Sequence, residues 1–198
     1  VPDPTATPNI LTDPGYLFLA PLGSTMPTNT VEGSVFTDEW ASAWIPLGAT
    51  EDGSEFAYAS TVEPITVAEL FDPVAYRTTG RTGRVAFNLA DWTLSMFRRA
   101  INGGIAPITA TSGTGATTLG ELEPPDPGTE VRAMVGWESL DNSVRLVARQ
   151  CLQGGEVTSA FRRAPSKAVI PCTFQMEKPA SAAPWILFSA GEERLGDV

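Results

Sequence analysis

The sequence predicts a mainly β protein: a β-sandwich or barrel-like body with one flanking α-helix and long loops. Three observations predict it. Apolar and polar residues alternate through "EVRAMVGWE", "VRLVARQCL" and "KAVIPCTFQME", the period of strands with two distinct faces. Eighteen Gly and 17 Pro punctuate short apolar runs, as turns between strands require. Only "DWTLSMFRRAINGG" repeats at helical spacing. A chain of 198 residues, 42% hydrophobic, is long enough to bury one sizeable core. A single β domain over residues 15–198 follows, preceded by an arm.

Residues 1–14, "VPDPTATPNILTDP", hold four prolines without periodicity and read as an extended N-terminal arm. Tyr16 to Pro21 reads as a strand, closed by Pro21, Gly23 and "MPTN". A polar loop follows to Ser42, and "WASAWIPLG" offers a Pro-interrupted strand suited to a sheet edge. A turn is expected at Asp52 and Gly53, then a strand broken at Pro64, then two short strands around a turn at Gly80 to Gly83. Arg77, Arg81 and Arg84 cluster there.

In the helix, Asp91 is the expected N-cap, Leu94, Phe97 and Ile101 the buried stripe, and Gly103 the stop after Asn102. Residues 103–130, rich in Gly, Thr and Pro, read as a long loop; "SGTGATT" lacks the Gly-Lys-Ser/Thr ending of a phosphate loop. The hairpin "EVRAMVGWE"–"SLDNS"–"VRLVARQCL" comes next. A strand with Ile170, Cys172, Phe174 and Met176 on one face and a last strand, "WILFS", complete the chain. Alternation of this kind predicts an antiparallel sheet with one wet face.

The chemistry is mostly exclusions. The chain has no His, so a Ser-His-Asp or Cys-His catalytic arrangement is impossible. Cys151 and Cys172 lack zinc spacing or a base partner and read as buried free thiols. Glu121, Glu123, Glu130 and Glu138 could pair as glycosidase carboxylates, but acids this widely spread suit a solvated surface. The segment "EDGSE" lacks the further ligands of a calcium hand. Five Trp (Trp40, Trp44, Trp92, Trp137, Trp185) could stack on sugars; Trp92 and Trp137 fit core positions, whereas Trp40 and Trp44 fall near strand edges, where aromatics also serve interfaces. No catalytic residue, cofactor or metal is expected.

Charge is distributed unevenly. The net charge is −10 with an isoelectric point near 4.4, which opposes adhesion to nucleic acid or anionic lipid. Arg77 is the first base, so residues 1–76 hold 11 acids and no base, and the remaining 12 acids accompany all 13 bases. Either the fold mixes both halves into one surface, or an acidic face of one copy meets an Arg face of the next, with Arg77, Arg81 and Arg84 as candidate contacts. No basic-then-apolar leader opens the sequence and no apolar run could span a bilayer, so synthesis in cytoplasm without membrane binding is expected.

"PGYLFLAPLGSTMPTN" followed by "WIPLGATEDGSEF" resembles the opening of major tail tube proteins of long, non-contractile-tailed bacteriophages, especially those infecting actinobacteria. The matching positions are Gly15, Leu17, Ala20, Pro21, Gly23, Ser24 and Pro27, then Trp44, Leu47, Gly48, Thr50, Glu51, Asp52 and Gly53. The order of later elements is also similar, without the immunoglobulin-like module some relatives append. The resemblance implies a structural virion protein, not an enzyme, that forms hexameric rings stacked into a tail tube. Its partners would be itself, the tape-measure protein and tail-end proteins, with double-stranded DNA passing through an acidic lumen unbound. Glu138 and Glu177 are then candidate lumen acids, and Trp40, Trp44, Arg77, Arg81 and Arg84 candidate inter-subunit or inter-ring contacts, together with the arm and loops 28–43, 62–84 and 103–130. The alternatives, in order, are another virion β-protein (capsid decoration or baseplate, facing carbohydrate) and a carboxylate-based glycan hydrolase.

Overall fold

The computed structural model describes residues 14–104, 110–112, 118–161 and 167–190. The expected arm, apart from Pro14, lies outside the described residues. Element order is β1 (Tyr16–Pro21), β2 (Val31–Glu32), β3 (Val35–Phe36), β4 (Ile45–Pro46), β5 (Thr50–Ile65), β6 (Ala75–Leu89), α1 (Leu94–Ala100), β7 (Ala110–Ser112), β8 (Thr118–Gly120), β9 (Ala133–Glu138), β10 (Val144–Gln153), β11 (Ile170–Met176) and β12 (Trp185–Ser189). The protein is mainly β, sandwich-like, with one helix among the described residues.

Eight strands form an antiparallel sheet in the order β4-β1-β9-β10-β11-β6-β5, with β12 also on β10. β10 is the branch. One of its edges carries β9; the other pairs β12 through Val144–Ala148 and β11 through Cys151–Gln153. Between Ala148 and Cys151 the register with β9 slips by one residue, a bulge that bends a strand. β12 and β11 therefore share that edge of β10, one on either side of the bulge. Pro46 lies on the edge strand β4, where a missing N–H costs no ladder bond.

The main core lies inside this fold. Leu17, Leu19, Leu89, Val135, Leu146, Ala148, Ile170 and Phe174 meet there with both thiols, each side chain on the inward position of its strand. A second, smaller cluster of Ala20, Trp44, Met134 and Val147 fills the opposite face of β1, β9 and β10. The expected wet face is thus absent from these central strands: segment 24–44 lies over it, with Met26, Trp40 and Trp44 packed on the sheet.

Several expectations are corrected. The sequence 75–89 is one strand, not two around a turn; Gly80 sits at a register shift, and Gly83 is extended where a Cβ would come within 2.8 Å of Met176 Sδ. These glycines mark a bulge and a close approach. Asp52 and Gly53 likewise form an irregularity in β5 between Thr50 and Ser54, not a turn. Loop 62–84 is consequently the outer half of a long hairpin. Loop 103–130 contains the small β7–β8 pair, and the polar loop before Ser42 contains β2–β3.

The helix starts at Thr93, not Asp91: the Thr93 hydroxyl accepts from the Met96 N–H at 3.2 Å. Its end is a left-handed Asn102 (φ 58°), with Asn102 N–H donating to Arg99 and Gly103 N–H to Arg98, the paired bonds of a Schellman stop. Met96, Phe97 and Ala100 face the core; Leu94, the first helical residue, stays 36% exposed. Trp92 is not core either, being 38% exposed beside Phe97 and Phe161.

Candidate functional site

Three of the sequence-derived candidates come together: Glu138 and Trp44 are buried and Trp40 is partly buried. Glu138 ends β9 directly opposite Arg145 of β10. Arg145 Nε donates to Glu138 Oε1 at 2.6 Å, and the two side chains are 2% and 8% exposed. The Trp40 indole N–H donates to the other carboxylate oxygen at 2.6 Å. The guanidinium also donates to the Thr28 carbonyl at 3.0 Å and to the Asp38 carbonyl, beneath the Phe36 ring. Each guanidinium nitrogen and each carboxylate oxygen of the pair has a hydrogen-bond partner, which offsets the cost of covering the charges.

This network anchors segment 24–44 to the sheet. Trp40 stacks on Phe18 with centroids 4.5 Å apart and meets Trp44 edge-on. Trp44, 4% exposed, donates to the Thr25 carbonyl. Gly136 makes the fit possible, since a Cβ there would lie 2.5 Å from the Trp40 ring. Glu138 is therefore corrected as a lumen acid, and Trp40 and Trp44 as surface contacts: desolvated, paired groups present no field or face to a neighbour. Arg145 was missed. Its signal was the hairpin register, which sets an Arg opposite a Glu on otherwise apolar strands.

Glu177, just past β11, remains partly exposed. It accepts from Arg132 Nε at 2.7 Å and from Gln150 at 2.6 Å. Arg132 and Gln150 hold its carboxyl below the usual range, so it stays ionised, with much of its charge balanced by Arg132.

Arg77, Arg81 and Arg84 all lie exposed on β6. Arg84 pairs with Glu55 at 2.8 Å; Arg77 stands opposite Glu63 in the register. The acidic and basic halves of the sequence thus meet side by side in one hairpin instead of forming separate faces. Beyond Arg84, the last residue paired with β11, that hairpin leaves the body, and β5 and β6 continue as a two-stranded ribbon to Ile65 and Ala75.

The ribbon is unusual in its surface. Nine exposed large hydrophobics fall between residues 56 and 76: Phe56, Tyr58, Val62, Ile65, Val67, Leu70, Phe71, Val74 and Tyr76. Phe71, at the tip, is fully exposed at 108%. Water on all sides of such a ribbon is unfavourable, and an isolated two-stranded hairpin is marginal. Among the described residues its root is covered, where Trp185 meets Phe56 and Tyr58 edge-on. Between Tyr58 and the loop before β12 runs a groove of about 960 Å³.

Burial pushes both thiols up to about 12, and no group of three metal-binding side chains converges among the described residues. No described helix is long and apolar enough to cross a membrane. No protein-family model matches the chain, and no curated protein matches it either.

Proposed function

We propose that this protein is a structural subunit of a bacteriophage tail tube, self-associating into rings that stack into a shaft through which DNA passes. The observation that carries the reading is the outer part of the β5–β6 ribbon, where Val62, Ile65, Val67, Leu70, Phe71, Val74 and Tyr76 are all exposed in the single chain. A surface of that kind marks a protein-binding site, and many identical strands are what a wide aqueous barrel requires. The resemblance of residues 14–56 to tail tube proteins supports the same reading. So does the net charge of −10, which favours sliding of a polyanion over binding.

The open strand edges add to it. Among the described residues, β5, 16 residues long, has β6 on one side only, and β12 has β10 alone; unpaired edges are templates for another chain. Carbohydrate stacking on Trp40 and Trp44 is disfavoured by their burial. Negative-stain microscopy across a concentration series tests the proposal: uniform rings or tubes are expected. Monodisperse monomers or trimers at every concentration would overturn it.

A further inference from the structure

We propose that the tip of the β5–β6 ribbon of one copy seats in the groove beside Trp185 of a second copy, making a head-to-tail contact. This rests on the assembly reading above and names the surfaces involved. The groove has an apolar floor of Tyr58, Met176 and Trp185, and its rim carries Arg81 and Lys178, neither with an ion-pair partner among the described residues. Residues 65–74 supply the complement. They present Leu70, Phe71 and Val74 exposed, flanked by Glu69 and Asp72, with no base among the ten.

The tip cannot reach the groove of its own chain. Tyr58 pairs with Gly83 and Ile65 with Ala75; seven residues of strand hold the two about 23 Å apart. The ribbon's ladder is continuous across that span apart from one register shift at Thr61/Val62, so the tip does not fold back. Apolar side chains flanked by acids on one end of the molecule, and an apolar slot flanked by bases elsewhere, make a heterologous pair. Such a pair generates closed rings or open filaments, not isolated dimers.

Ala68→Cys at the exposed tip, which leaves Phe71 in place, and Ser181→Cys on the groove's exposed loop test it by bismaleimide cross-linking of the purified full chain. Both native thiols are buried. A cross-linked dimer is expected in the mixture of the two variants and not in either alone. Adding Lys178→Glu to the groove variant should lower the yield about tenfold at low salt, and Asp72→Lys on the tip variant should restore it. No cross-link in samples where microscopy finds rings or tubes would overturn this contact and leave the assembly reading standing. No cross-link in a monodisperse monomer would overturn both. A cross-link formed equally by Ala68→Cys alone would replace the head-to-tail contact with a tip-to-tip one and also overturn it.

Discussion

The body and the ribbon use the same two-stranded hydrogen bonding and differ in what lies on their faces. β9 and β10 carry buried residues on both sides, the main core on one and segment 24–44 on the other. The outer halves of β5 and β6 carry exposed residues on both sides. The contrast repeats in two ion pairs of nearly equal length. Arg145–Glu138, at 2.6 Å, is almost wholly buried; Arg84–Glu55, at 2.8 Å, is 48% and 61% exposed. Geometry is alike, so energy is decided by surroundings: a buried pair is costly to break, whereas an exposed one contributes ~0–1 kcal/mol. The body holds itself together, whereas in the proposed assembly the ribbon is held by a second copy.

The sharpest way to break that comparison is Arg145→Met. It leaves the Glu138 carboxylate desolvated and without its guanidinium, and should cost about 3–5 kcal/mol in urea denaturation. Pairing it with Glu138→Leu should recover most of the loss. If the single variant unfolds like the wild type, the body is not organised around this pair.

Asn102→Ala comes next. Asn102 is left-handed at the helix end, and its amide group donates to the Gln153 carbonyl and accepts from the Gln153 N–H, both at 2.8 Å. Losing both bonds and placing Ala in that conformation should cost about 1–3 kcal/mol, read as a shift in thermal midpoint.

A smaller effect is expected at Asp141. The Ser139 and Ser143 hydroxyls hold its carboxyl below the ordinary Asp value of 3.8. Because the folded state binds this proton less readily, the stabilisation is present above that value and fades as pH falls through the folded pKa. Asp141→Asn should melt slightly lower than wild type at pH 6, and the difference should shrink progressively as pH falls below 3.8.

The smallest change in folding stability belongs to the ribbon. Phe71→Ser should alter urea stability by no more than about 0.5 kcal/mol, because Phe71 is already in water. The same variant should abolish assembly in light scattering. Destabilisation of the monomer comparable to that of Arg145→Met would mean the ribbon packs on its own body and the contrast is false.

Much of the fold was legible in the sequence because strand alternation is local. The Ala133–Glu138 and Val144–Gln153 hairpin, β1, the edge position of Pro46, and the inward set Ile170, Cys172 and Phe174 of β11 follow from period and turn chemistry alone. Glycine misled at 80–83 because a residue permissive of turns is equally suited to a bulge or a close approach, and only the neighbour, Met176, distinguishes them. Trp40, Trp44 and Glu138 were misplaced for the same reason: whether an aromatic or an acid is exposed depends on what the chain lays over it more than 90 residues away.

The sequence by itself determined the β class, the single described helix, the inert thiols and the absence of imidazole chemistry, since these follow from composition and from spacing within a few residues. Tertiary structure alone decided that β10 branches the sheet, that Arg145 draws segment 24–44 over a face expected to be wet, and that residues 56–76 leave the body as an uncovered ribbon. Burial is a relation between distant segments: side-chain period can say which residues share a face, but only the packed chain says whether that face meets protein or water.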